Sequence, residues 1–306
     1  MRLDRFLAGP GQLGSRGRAS NALVRGKVFV NDVEATPADA GRRLGAGDRV
    51  RVWMDRPGSA RRRWGRSRAA QGDLQIVYED PELIVVNKPA GLLTVPLPRR
   101  GDEACVEDQL AVHLRRRGKR TPLVVHRIDR DTSGLVVFAT RPDAQRRLRG
   151  QFRRHEPERV YLAVVYGHPS PESGTWHDRL VWDQAALIQK QTHPRDPRGK
   201  DAICQYRVLE RFPRASLIEV RLRTGKRNQI RLQARLRGHT LVGEQRYIFG
   251  PDELRIIDFP RQALHSHRLA FRHPVTNQPL SFEAALPSDM ADLVARLRIQ
   301  TAPSGV

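Results

Sequence analysis

Cysteine is nearly absent from this chain of 306 residues: Cys105 and Cys204 stand far apart, neither in a CxxC pair. That argues against a disulfide framework or a thiolate zinc module. No run approaches the ~18 apolar residues that cross a bilayer as a helix. The first residues, MRLDRFLAGPG, hold no sustained apolar stretch of the secretory kind. A cytoplasmic protein off the membrane is therefore expected. Lysine is scarce, six of 55 basic residues, and acids number only 33. Genome composition explains arginine in place of lysine but not the shortage of acids. The resulting net charge of +22 raises the local concentration of a polyanion and favours binding through counterion release. Nucleic acid ranks ahead of an anionic membrane, because no apolar amphipathic helix accompanies the charge. Neither a phosphate loop of the GxxxxGK[ST] kind nor a metal-ligand cluster is present. His265, His267 and His273 alternate without a supporting cysteine or carboxylate, so no metal and no cofactor are expected.

The charge is uneven. Residues 1–72 hold 16 basic and 6 acidic side chains, +10 of the total. Within them, RPGSARRRWGRSRAAQG, from Arg56 to Gly72, is basic and poor in apolar residues. It reads as a linker over 56–72 between two folded units, one over 1–55 and one over 73–300. In the first unit Leu3, Phe6 and Leu7 form one helical face, and Ala19, Ala22 and Leu23 form another. A strand through Val28 and Val30 turns at Asn31-Asp32, and a second strand runs from Arg49 to Trp53.

From Asp73 onward the pattern changes. Leu74–Tyr78, Leu83–Val86, Gly134–Ala139, Val160–Val165 and Ile218–Arg223 read as strands. Val106, Leu110 and Leu114 follow helical spacing, as do Ala144, Leu148 and Phe152, and the set Met290, Leu293, Val294, Leu297. Strands outnumber helices and never settle into βαβ units. The expected class is α+β, a mixed, largely antiparallel sheet preceded by a small α/β-hairpin domain.

The segment richest in chemistry is HRIDRDTSGLVVFAT, His126 to Thr140. A strand over Leu123–Val125 leads into a polar loop, then a buried strand follows Gly134. Asp129 and Asp131 sit in that loop beside Arg127 and Arg130. A carboxylate flanked by cations stays ionised and can serve as nucleophile or base. Taken alone, these residues would more simply cap a turn.

A resemblance decides between the two readings. HRIDRDTSGL is similar to the signature of the RluA-type pseudouridine synthases. It is accompanied, in the family's order, by EDPELIVVNKPAGLLTVP (79–96), ERVYLAVVYG (158–167), LRTGKRNQIRLQARLRGHTLVGEQRY (222–247) and LHSHRLAFRHP (264–274). The first 55 residues resemble the small RNA-binding domain first known from ribosomal protein S-four, through RLDRFLA, SRGRASNALVRGKVFVN and GAGDRVRV. The second resemblance implies phosphate contacts from Arg16, Arg18, Arg25 and Lys27.

The first implies that Asp129 is the catalytic aspartate, breaking the bond between ribose and uracil N1 so that the base rotates and rejoins through C5. Whether it forms an adduct at C1′ or drives glycal formation stays open. Arg127 matches a residue that takes the place of the flipped base, and Tyr161 matches the aromatic residue stacked on the uracil. The third motif departs from the family's TGR-(T/S)-HQ-(I/L)-R, because this chain has Lys226, Arg227 and Asn228. Lys226 then falls where an arginine paired with the aspartate is expected, with Arg227 as its substitute. A lysine there keeps the charge without the bidentate fork. Arg130, Arg227, Asn228 and Arg231 are expected to bind substrate. The expected substrate is structured RNA, ribosomal RNA of the large subunit first and transfer RNA second, acted on by a monomer. A non-catalytic RNA-binding factor in ribosome assembly is the alternative, resting on the altered third motif.

Overall fold

The computed structural model describes residues 1–24, 27–53, 74–96, 104–116, 121–184, 188–248 and 256–300. The expected linker over 56–72 and the expected RNA contact Arg25 lie outside them. The described residues divide into two compact units, 1–53 and 74–300.

The amino-terminal unit carries α1 (Leu3–Leu7), α2 (Arg16–Val24), β1 (Val28–Val30), β2 (Val33–Glu34), a 3-10 turn (Pro37–Gly41) and β3 (Val50–Val52). Its strands pair antiparallel in the order β2-β1-β3. The reversal after β1 falls at Asn31 and Asp32, whose φ values of 52° and 64° suit these two residue types better than most. Leu3, Leu7, Ala19, Leu23, Val28 and Val30 close a separate small core. Simple alternation along β1 does not hold. Phe29 is buried with its neighbours, because Arg51 of β3 and Trp53 just after it cover its ring.

The larger unit is built on one extended sheet. Its strands are β4 (Gln75–Glu79), β5 (Leu83–Lys88), β6 (Leu123–Val124), β7 (Ser133–Ala139), β8 (Glu158–Tyr166), β9 (Ser173–Asp183), β10 (Ile188–Gln191), β11 (Lys200–Arg211), β12 (Ala215–Leu222), β13 (Leu264–Arg272) and β14 (Pro279–Glu283). They run in the order β10-β9-β11-β12-β8-β13-β7-β5-β4, with β14 beside β13 and β6 beside β7. Among the described residues the pairing of β7 with β13 is the one parallel pairing between strands, and an isolated parallel bridge joins Leu93 to Cys105. Four helices cover the sheet: α3 (Val106–Arg116), α4 (Pro142–Arg153), α5 (Gln229–Leu236) and α6 (Ser288–Ile299).

Successive side chains of a strand face opposite ways, and both faces here are dry. On β5, Ile84 and Val86 pack with Val136, Phe138, Ile218 and the apolar stripes of α3 and α5. Leu83 and Val85 pack the other way, with Leu135, Val137 and the Ala144 and Leu148 stripe of α4. Farther along that second face, Leu162, Val164 and Leu217 receive Met290, Leu293, Val294 and Leu297 of α6. Central strands buried on both faces explain the near-continuous apolar runs in β5, β7 and β8.

Candidate active site

The loop between β6 and β7 leaves the middle of the sheet at its parallel seam. There Ser133 and Gly134 stand in register with His265 and Ser266 of β13. Position 134 requires glycine: its φ is 110°, and a Cβ would collide with the Ser266 backbone.

Backbone hydrogen bonds hold the loop in one shape. The fully buried Lys88 donates from Nζ to the carbonyls of Arg130 (2.7 Å), Leu92 (2.8 Å) and Pro89 (2.9 Å). Burial pushes its amine down to about 7, although Asp131 and Asp129 pull the other way. Gly91 donates its amide to the Arg130 carbonyl at 3.0 Å. Thr94 Oγ1 donates to the Ile128 carbonyl at 2.8 Å. From the opposite side, Arg261 donates to the Asp131 carbonyl at 3.0 Å while its other nitrogens grip Asp289 of α6. None of these fasteners stood out in the sequence as more than part of a motif.

Asp129 is presented at the top of this loop, its side chain about a quarter exposed (27%). Both of its hydrogen bonds reach Oδ2: Asn228 Nδ2 donates at 2.7 Å and Arg231 Nη1 at 3.1 Å. No described residue hydrogen-bonds or ion-pairs with Oδ1. Asn228 is the residue preceding α5 and has left-handed backbone, φ 52° and ψ 27°. Asparagine is among the few residues that adopt this conformation readily. The turn it makes puts Arg231, three residues on, on the same helical face.

Arg231 is itself held by Glu244, Nε to Oε2 at 2.7 Å and Nη2 to Oε1 at 2.6 Å. Burial works against both charges, yet the pair holds Glu244 below and Arg231 above their usual pKa values. Oε1 of Glu244 also accepts the amides of Arg246 at 2.8 Å and Tyr247 at 3.2 Å. Tyr247 donates its hydroxyl to Asn228 Oδ1 at 3.4 Å. Glu244 thus positions Arg231, which positions Asp129.

The ion pair therefore comes from Arg231, a correction to the expectation that placed it at Lys226 or Arg227. The reversal at Asn228 separates those two residues from the helical face that meets the aspartate. Arg227 instead lays its guanidinium over Trp182, 4.2 Å from the ring centre. Trp176, by contrast, is buried against Tyr206.

A cavity of about 790 Å³ opens beside Asp129, and Arg127, Tyr161, Lys226, Asn228 and Arg231 line it as well. Arg130 and Arg227 stand nearby without lining it, while Arg16, Arg18 and Lys27 belong to the amino-terminal unit. Tyr161 is buried on β8, paired with Ser266 and Val220 of the flanking strands. Burial raises its phenol above the ordinary value. Arg159 and a hydrogen bond with Ser266 pull it back down, and Asp129 adds to the rise. His126 also lines the cavity, stacked on Phe152 with ring centres 4.6 Å apart, and Nε2 accepts the Val137 amide at 3.1 Å. Burial, reinforced by Arg159, drives it down to about 3, so the ring is neutral.

A single held carboxylate, a buried tyrosine and cationic walls in a largely antiparallel sheet make a site for isomerising or cleaving part of a polyanion. The chain belongs to the RNA pseudouridylate synthase family, which it matches over residues 82–236. It is 36% identical over 301 residues to the RNA pseudouridine synthase YlyB of Bacillus subtilis, covering 97% of this chain and 94% of that one. It is 35% identical over 309 residues to the ribosomal large subunit pseudouridine synthase D of Zymomonas mobilis, with the same coverage. The solved human RNA pseudouridylate synthase domain-containing protein 4 shares the fold at a TM-score of 0.60 and 21% identity, covering 73% of this chain and 93% of that one. The protein is an RNA pseudouridine synthase, an isomerase acting on RNA.

Proposed function

We propose that Asp129 is the catalytic carboxylate and that the substrate is ribosomal RNA of the large subunit. The observation that carries the first part is the asymmetry at Asp129. Oδ2 is fixed by Asn228 and Arg231, while no described residue hydrogen-bonds Oδ1 beside the cavity. A nucleophile or base needs that combination of fixed geometry and a free lone pair. The target uridine is flipped out of its stack, and Arg127 fills the place it leaves. Asp129 promotes cleavage of the bond from C1′ to N1. The uracil, lying against Tyr161, turns so that C5 faces C1′. A bond from C5 to C1′ replaces the one from N1, N1 gains a proton, and the proton on C5 is lost. That final proton transfer is assigned to the Tyr161 hydroxyl, which, being protonated, passes its own proton on as it takes the one from C5.

The substrate rests on the charge of +22 and on relatives named for the ribosomal large subunit. Arg16, Arg18, Arg25 and Lys27 of an S-four-like unit over 1–55 anchor the RNA through its phosphates, a linker over 56–72 joins that unit to the synthase domain over 73–300, and Arg130 and Arg227 add contacts near the cleft. The protein works as a monomer in the cytoplasm. The ion pair from Arg231 weakens the case for a non-catalytic factor, which depended on the altered third motif.

The test is tritium release from unmodified, C5-tritiated RNA, with Asp129→Asn as the matched control. Release from large-subunit RNA by the parent, and none by the variant, supports both parts. Release from transfer RNA alone moves the substrate. Undiminished release by Asp129→Asn removes the aspartate from the mechanism.

A further inference from the structure

Arg159 has no assigned role, yet it is the most anomalous charge in the cavity wall. It lies on β8 two residues before Tyr161, on the same side of the strand, and is 8% exposed. Among the described residues no carboxylate stands within ion-pair distance of it. Its Nε is buried with no hydrogen-bond partner. Nη2 reaches only the Arg223 carbonyl, at a long 3.4 Å, and the guanidinium sits 5.7 Å from the centre of the Phe152 ring. Buried cations are normally paired, because an unpaired one costs several kcal/mol. The contrast with Arg231, which meets two carboxylates, is sharp. Burial accordingly loosens the Arg159 proton from its ordinary hold.

The surroundings are suited to an anion. Lys226 and His155 line the same cavity, and after burial the charges of Arg159 and Lys226 both reach His155 and lower its pKa. Gly225 completes the wall. A Cβ there would stand 2.5 Å from Arg159 Nη1, so only glycine leaves the guanidinium its place. Tyr161 feels Arg159 and Asp129 at once, so the cationic group and the carboxylate both stand close to the tyrosine in the one cavity. A nucleotide lying on Tyr161 with its sugar at Asp129 would bring its own phosphate toward Arg159.

We propose that Arg159, with Lys226, binds a backbone phosphate of the RNA adjoining the flipped uridine, supplying the missing anion when substrate enters. The inference rests on the cavity being the uridine site. Arg159 is then a positioning residue, holding the sugar in line with Asp129 while making no contact with the reacting atoms.

The experiment measures single-turnover kcat/KM on C5-tritiated, unmodified ribosomal RNA across a series of KCl concentrations. The variants are Arg159→Met, Arg159→Lys and Lys226→Met. A lost phosphate contact lowers kcat/KM about ten- to hundredfold and makes the slope of log kcat/KM against log salt shallower by about 0.7–0.9. Arg159→Lys, which keeps the charge, retains the parent's slope. Lys226→Met lies at the half-buried rim, spares the core, and gives a smaller fall with a shallower slope. Lower activity at an unchanged slope in both Met variants overturns the proposal and leaves Arg159 as an electrostatic neighbour of Tyr161. Absence of release by the parent overturns the underlying reading, and the phosphate site with it.

Discussion

Asn228 donates from Nδ2 to Oδ2 of Asp129 at 2.7 Å across 99 residues of sequence, from a backbone held at φ 52°. Two demands meet at this position: a short donor aimed at the aspartate and a residue that tolerates left-handed backbone. Asparagine meets both, and so does the histidine of the usual family pattern, since both residues are enriched at positive φ.

Asn228→His is therefore expected to retain most activity. Asn228→Gly keeps the backbone but loses the donor, and a tenfold or greater fall in single-turnover tritium release is expected. Asn228→Ala loses both and adds about 1–2 kcal/mol of conformational strain, visible as a lower urea midpoint. Equal activity in the histidine and alanine variants would show that the donor is dispensable.

Arg231 and Glu244 behave as a unit. Truncating either alone strands a buried charge, so Glu244→Leu and Arg231→Met should each destabilise by about 3–5 kcal/mol. The double variant should recover much of that loss in urea unfolding while remaining inactive, because Asp129 has lost its ion pair. A double-mutant cycle in which the two single losses simply add would contradict the coupling.

Lys88 joins the opening motif to the Asp129 loop through three carbonyls. Lys88→Met leaves them without their donor, at about 1–3 kcal/mol for each left unsatisfied. The expected result is a clear drop in thermal midpoint and faster hydrogen exchange across residues 128–133. Exchange in that loop as slow as in the parent would show that Thr94, Gly91 and Arg261 suffice.

Acid stability should report the buried imidazoles. Burial lowers His126 from 6.5 to about 3 and His265 to about 4. The unfolded chain then binds protons that the folded one refuses. Their contribution is complete above pH 6.5 and is lost as pH falls toward 4 and then 3. Each proton steepens the decline by up to about 1.4 kcal/mol per pH unit. His126→Gln keeps an acceptor for the Val137 amide without titrating, so its thermal midpoint should fall less steeply between pH 6.5 and 4 than the parent's.

The sequence by itself determined the elements whose partners are local or generic. The apolar runs of β5, β7 and β8 were legible because strands buried on both faces are continuously hydrophobic. The stripes of α3, α4 and α6 were legible because one helical face repeats at fixed spacing. The loop from His126 to Gly134 was legible through its resemblance to a known family, and Asp129, Tyr161 and Arg127 do share one cavity. Helix α5 was not assigned, because it is short and buries Gln229, Arg231 and Gln233 along with Ile230 and Ala234, and those polar residues read in sequence as facing solvent.

Tertiary structure alone decided which cation meets the aspartate. Lys226, Arg227 and Arg231 differ by a few positions, and the left-handed turn at Asn228 selects among them. It alone placed Glu244 under Arg231 and Lys88 under the loop, where fully buried charges look in sequence like any surface residue. It alone left Arg159 buried without a carboxylate partner among the described residues. The reason is physical: local patterns record how a segment meets solvent, whereas the fate of a buried charge depends on groups brought to it from 13 to 102 residues away.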